Sequence, residues 1–266
     1  MHTLSENSSN MLNKFAPSAF AVQPYHKMSE RYGFVPTSEI VAALENEGFN
    51  LVRATESRVR LPEKRGFAKH MLRLRQNDIR PVVGDVFPEI VLTNSHDGSS
   101  AYVLEAGFYR LTCSNGAVVS ESTFPGIHVR HNTKVVQEAI EGTYSIISEM
   151  PALINGVEEM RAVALSSEDR RLMARAAITA RYDDENLSPI NPEQLLRPRR
   201  SADASTDLWT TFNVIQENMI KGGLYGRGAN GRRMHTRAIK GIDQDRGLNK
   251  ALWMIAEAMK DSKKAA

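Results

Sequence analysis

Cysteine is almost absent: Cys113 stands alone among 266 residues. It cannot close an internal disulfide, a cysteine-based zinc site needs partners it lacks, and a free thiol suits a reducing compartment. Long apolar runs are missing too, since none approaches the roughly 18 to 20 residues of a membrane-spanning helix. The opening residues, MHTLSENSSNMLNKFAPSAFAVQPY, have no basic start followed by an apolar stretch and are not expected to act as a secretory signal. The expectation is therefore a cytoplasmic or nucleoid-associated protein with no membrane partner. A strong excess of one charge is also lacking: 34 Lys and Arg against 31 Asp and Glu leave a net charge of +3. Basic character can matter only where it is clustered. What remains is ordinary for a globular chain, with 41% hydrophobic and 24% charged residues, enough to bury one large core or two small ones.

The pattern along the chain predicts an α+β fold: an antiparallel β-meander packed by a long helix, then a mainly helical C-terminal half. Residues 1–30 are expected as a flexible N-terminal arm, with 1–24 aperiodic and rich in Ser, Asn, Ala and Pro, so that they act as an arm or a packing strap. An α+β domain is expected over 31–160 and a helical region over 161–266. A first helix starts at Thr37 or Ser38, either of which can cap it, and stops at Gly48. Residues 51–60 (LVRATESRVR) and 68–75 (AKHMLRLR) alternate as strands around a turn at Pro62–Gly66. EIVLTNS and AYVLEAGFYRLTCS form a second hairpin about His96-Asp97-Gly98. Asn115-Gly116 marks another turn, GIHVRH a last strand, and Thr133–Glu149 a long helix with Val135, Val136, Ala139, Ile140, Tyr144 and Ile147 near helical spacing. Ser166 or Ser167 caps a helix whose first turn carries Glu168 and Asp169. The proline-containing stretch 183–206, with its RPRR run, is expected as an exposed loop. Two further helices, DLWTTFNVIQENMIKGG and GLNKALWMIAEAMKD, flank the Gly- and Arg-rich LYGRGANGRRMHTRAIKG.

Two basic clusters carry the functional reading. In the first, Arg58, Arg60, Lys64, Arg65, Lys69, Arg73 and Arg75 lie on or between two strands. Arg58 and Arg60 would share a face, as would Arg73 and Arg75, and like charges on paired strands cost stability unless something anionic sits between them. A phosphate backbone would meet that need; a solvated basic face is the alternative. In the second, Arg227, Arg232, Arg233 and Arg237 lie among glycines, with Tyr225 placed to stack on a base; the alternative is a mobile connector. The loop lacks the Gly-Lys-Ser/Thr of a phosphate-binding loop, so no nucleotide cofactor is expected. Asn213, Gln216 and Glu217 share one face of an otherwise apolar helix. They form either a buried polar network or a ligand site, with Glu217 a conceivable metal ligand. His70, His96, Asp97, His128 and His131 raise a metal site, but His128 and His131 point to opposite strand faces, and Asp97-Gly98 is explained as a turn. No metal and no catalytic residue are assigned; Cys113 and Ser114 lack any cue for a partner base.

Three stretches carry a resemblance: VLTNSHDGSSAYVLEAGFYRLTCSNGAVV (91–119), DLWTTFNVIQENMIKGG (207–223), and Arg237-x-x-x-x-Ile242 with NKALW up to residue 253. Together they resemble the phage- and plasmid-like family catalogued as domain of unknown function 932, over about residues 31–260. The association with mobile elements implies DNA metabolism or counter-defence. The element order alone, a β-meander then a long helix, is also similar to single-strand annealing proteins. The favoured expectation is a nucleic-acid-binding protein without catalytic chemistry, acting on single-stranded DNA in recombination or replication and assembling as a homo-oligomer. The alternatives are a counter-defence factor that binds a host protein and a metal-dependent nuclease.

Overall fold

The computed structural model describes residues 3–29, 32, 34, 36–77, 80, 86–110, 116–118, 126–129, 135–184, 187–228 and 231–265. Asn115, Cys113, Ser114 and His131 lie outside them. The chain divides into two compact units, Met1–Tyr109 with Phe124–Pro151, and Arg110–Thr123 with Ala152–Ala266.

The first unit is an antiparallel sheet. Strand β1 (Phe49–Glu56) pairs with β2 (His70–Gln76), β2 with β3 (Val86–Asn94), β3 with β4 (Tyr102–Arg110), and β6 (Ile127–Val129) with β4. The strand expected to run to Arg60 stops at Glu56. Its neighbour, expected from Ala68, starts at His70, after the chain has turned through Pro62–Lys64 and the left-handed Gly66 (φ +86°). The turn expected at His96–Gly98 is present, with Gly98 at φ +75°. Every residue of β3 is buried, which makes it the centre of the sheet. One face carries His70, Leu72 and Leu74 opposite Asn94, Leu92 and Ile90; the other carries Arg73 opposite Val91.

Helix α2 (Thr37–Asn46) ends where Gly48 takes a left-handed conformation. It is not capped by Thr37 or Ser38, because the Thr37 hydroxyl turns inward to His70 and Asn94 of the sheet. Residues 1–24 do not lack regular structure. They hold α1 (Glu6–Phe15), capped by Ser5, and a short 3-10 turn at Pro17–Phe20. Leu12, Ala16 and Ala19 are fully buried, Ser5 and Ser8 bond the Glu45 carboxylate, and Ser18 Oγ accepts from the Ala68 amide. Ser5, Ser8 and Ser18 are therefore caps and anchors, in keeping with a packing strap. The long helix α3 (Val135–Ala162) continues through Pro151 rather than ending at Glu149.

In the second unit α4 (Ser167–Tyr182) begins at Ser166 with a full capping box to Asp169, as its sequence predicts. Helices α4, α6 (Leu208–Lys221) and α7 (Ile242–Lys264) pack together. Trp209 stacks on Phe212, and Trp253 meets both rings edge-on. The short strand β5 (Gly116–Val118) lies against α7, and the one-turn helix α5 (Pro192–Leu195) against α4 and α6. The stretch expected as an exposed loop is anchored: Ile190, Leu195 and Asp203 are buried. Between α6 and α7 the Gly/Arg segment forms a two-stranded ladder, β7 (Tyr225–Arg227) and β8 (Arg233–His235).

Candidate nucleic-acid interface

The seven basic residues of the first cluster do not act alike. Arg58 and Arg60 fall beyond the end of β1 and are exposed, as is Arg65. Lys64 Nζ donates to Asp97 Oδ2 at 2.9 Å and lies 5.6 Å from the Tyr25 ring centre, and this carboxylate raises the Lys64 pKa. Burial pushes the Asp97 carboxyl upward, yet the bonds from Ser99 and Lys64 outweigh it and leave its pKa below the ordinary value. Lys69 is half-buried.

Arg73 and Arg75 depart furthest from the expected phosphate-binding face. Arg73 Nε donates to Glu89 Oε2 at 2.6 Å, and Arg75 Nε and Nη2 both donate to Glu89 Oε1. The Glu89 side chain is fully buried on β3. The Arg73 guanidinium also lies 3.2 Å from the Tyr109 ring centre and that of Arg75 3.9 Å from Phe87. Two cations on one face do require an anion, but the chain supplies it from the adjacent strand. Both arginines are thus tied to Glu89 within the sheet.

The second cluster has the opposite character. In β7–β8 Tyr225 pairs with His235, Gly226 with Met234, and Arg227 with Arg233. Because side chains alternate, Tyr225, Arg227, Arg233 and His235 share one face and Gly226 and Met234 the other. Tyr225 and His235 meet ring to edge at 4.0 Å, with Tyr225 73% exposed. Arg227 and Arg233 are exposed, stand directly opposite each other, and make no ion pair with any described residue. Arg232 and Arg237 are exposed nearby.

The ladder is seated on the unit rather than left as a loose connector. Gly226 lies against the chain at Pro189, where an added Cβ would fall 1.9 Å from the Pro189 carbonyl oxygen, and the Arg227 amide donates to that same oxygen. Thr236 bonds Leu224 in both directions, Gln194 Nε2 donates to the Tyr225 carbonyl, and Arg181 Nη2 donates to the Arg237 carbonyl. Gly222 is required by its φ of +61° and by the Thr236–Arg237 backbone, 2.7 Å from where a Cβ would lie. These glycines allow close packing.

The polar string of α6 is a structural network. Asn213 Nδ2 donates back to the Trp209 carbonyl, and Gln216 Nε2 donates to Asn249 Oδ1 at 2.6 Å. Glu217 receives Arg200 on both oxygens and Lys221 Nζ on Oε1, so its charge is met by two cations of this chain. Asn218 Nδ2 donates to the carbonyls of Leu195 and Arg197, and its Oδ1 accepts from Arg199 Nε. His70 and His96 share the Thr37 hydroxyl inside the first unit, whereas His128 is exposed. Among the described residues no three His, Cys, Asp or Glu side chains are grouped to hold a metal, and no helix is long and apolar enough to cross a membrane. Sequence reading passed over two residues of the exposed surface. His235 is one, and its place opposite Tyr225 is set by the β7–β8 register. Arg197 is the other, and no local signal separates it from the anchored Arg199 and Arg200.

The model of the domain of unknown function 932 family matches residues 24–253. Two proteins of Escherichia coli (strain K12) are similar to the chain over 248 residues, 93% of this chain and 89% of each of theirs. UPF0380 protein YafZ is 43% identical and UPF0380 protein YfjQ 42% identical. No solved structure matches. The chain belongs to the domain of unknown function 932 family.

Proposed function

We propose that this member of the domain of unknown function 932 family is a non-catalytic nucleic-acid-binding protein, with single-stranded DNA the favoured ligand, acting in recombination or replication of a mobile element. One observation carries the reading: Arg227 and Arg233 face each other across an exposed ladder with no carboxylate between them, beside the exposed Tyr225–His235 ring pair. Directly opposed like charges destabilise a two-stranded ladder, and a phosphate backbone relieves that repulsion through charge-assisted bonds. The neighbouring aromatic rings offer a surface on which unpaired bases stack without regard to sequence. Arg237 and Arg232 extend the positive strip in this unit, and Arg58, Arg60 and Arg65 are among the cations exposed in the first unit. An antiparallel sheet followed by a long helix is in keeping with an annealing protein, and by that analogy the chain is a cytoplasmic homo-oligomer on its strand.

The test is binding of a labelled deoxythymidine strand across a salt series, with light scattering to size the free and bound protein. Affinity is expected to fall with salt, and the log–log slope to lose roughly 0.7 for each phosphate contact removed. An affinity that does not change with salt refutes the electrostatic account. Salt-dependent binding without faster pairing of complementary strands refutes annealing alone.

A further inference from the structure

Beside the ladder, the second unit contains a cleft of about 340 Å³ whose walls include Arg197, Pro198, Arg199, Asn218, Leu224 and Tyr225. This is at the lower end of the roughly 300–1,000 Å³ that small-molecule clefts occupy. Its base is fixed. Asn218 is 2% exposed, and it holds the carbonyls of Leu195 and Arg197 through Nδ2 and Arg199 Nε through Oδ1. Arg199 Nη2 donates to the Gly222 carbonyl at 2.6 Å. The Arg199 guanidinium is thus pinned along one edge, while its Nη1 makes no bond to the described residues. Arg197 is exposed and its side chain has no described partner. Tyr225 also lines the cleft, its carbonyl held by Gln194 Nε2 and its ring 73% exposed.

A pinned guanidinium is already ordered, so an anion meeting it loses little further entropy. Two guanidiniums call for a multivalent oxyanion, and an exposed aromatic wall calls for a flat apolar face within a few ångströms of it. A nucleotide joins those two chemistries. We propose that this cleft seats one nucleotide of a single strand, with its phosphate on Arg197 and Arg199 and its base against Tyr225. The inference rests on the nucleic-acid reading above and deepens it: a base stacked within a duplex has no free face for Tyr225, so the cleft selects unpaired strands.

The experiment compares a short deoxythymidine strand with a strand of the same length made of abasic residues, on the full chain and on Tyr225→Ala, Tyr225→Phe and Arg197→Ala. Tyr225 and Arg197 are exposed, so these variants keep the fold. Unsubstituted protein is expected to prefer the natural strand by roughly five- to one-hundred-fold. That preference disappears in Tyr225→Ala and survives in Tyr225→Phe, while Arg197→Ala weakens both strands alike and lowers the salt slope. Equal affinity for natural and abasic strands overturns the cleft assignment and leaves salt-dependent binding standing. A third arm titrates thymidine monophosphate alone. Binding that needs Arg197 but is not matched by any strand overturns both the strand as ligand and the reading it rests on. No binding of any of the three overturns both as well.

Discussion

Arg73 and Glu89 are joined inside the first unit's sheet, Nε to Oε2 at 2.6 Å, with the same carboxylate also receiving Arg75 from two positions along β2. One buried acid therefore pairs with both arginines of a strand whose positive face carries them. Arg227 and Arg233 have the same like-charge relationship and no such acid. The difference separates cations paired inside the fold from cations exposed on its surface.

Removing the acid should expose that difference. Glu89→Ala leaves two poorly solvated guanidiniums unpaired and should cost about 3–5 kcal/mol of stability, read from the urea midpoint. Glu89→Gln keeps the shape but loses the charge, and should be destabilised in the same direction. A midpoint unchanged in both would show that the pair contributes nothing.

The ladder arginines should behave oppositely. Arg227→Ala and Arg233→Ala relieve a repulsion, so the melting temperature should stay level or rise slightly, within about 0.5 kcal/mol. Strand affinity should fall in each and the salt slope become shallower. Loss of stability in either variant would mean that the side chain is an anchor.

Gly226 tests whether the ladder must be seated to bind. In Gly226→Ala the new methyl would collide with the Pro189 carbonyl, so the ladder must shift from its seat and the Arg227 amide lose its acceptor. Hydrogen exchange at the Arg227 and Thr236 amides should quicken, and strand affinity fall about as far as in Arg227→Ala. Unchanged exchange would show that the ladder is not held at Pro189.

His70 gives the first unit an acid limit. Its imidazole is fully buried, bonded at Nδ1 to the Ala68 carbonyl and at Nε2 to the Thr37 hydroxyl. Burial lowers its pKa from the ordinary 6.5 to about 4, against the opposing pull of the Ala68 bond. The unfolded chain therefore takes up this proton first as pH falls. Stability should decline from about pH 6.5 down to about pH 4 and level off below, by about 3 kcal/mol at roughly 1.4 kcal/mol per pH unit. Urea melts across that window should show the slope, and His70→Gln should flatten it.

Local chemistry was legible in the sequence wherever one segment decides the outcome. Ser166 with Asp169 announced a capped helix, Asp97-Gly98 a turn, and Gly48 the end of α2. The clustering of charge was equally plain. What a sequence window does not contain is the partner across the sheet: Glu89 stands 14 residues from Arg75, and only the β2–β3 register puts its carboxylate beside two guanidiniums. Thr37 was misjudged for the same reason, since a hydroxyl at a helix start is a good cap until a histidine from β2 competes for it. The seven cations of the first cluster look alike in one dimension, and their separation into paired and exposed groups is a property of the fold.

Because Glu89 ties Arg73 and Arg75 into one buried contact and the ladder's cations stand exposed, the two are free to change at different rates. Mutation at Glu89 must be compensated at Arg73 and Arg75 together, whereas the exposed face of β7–β8 can exchange one cation or ring at a time. Lineages of this chain should therefore carry a nearly fixed trio in the sheet and a variable, ligand-tracking set of residues on the ladder.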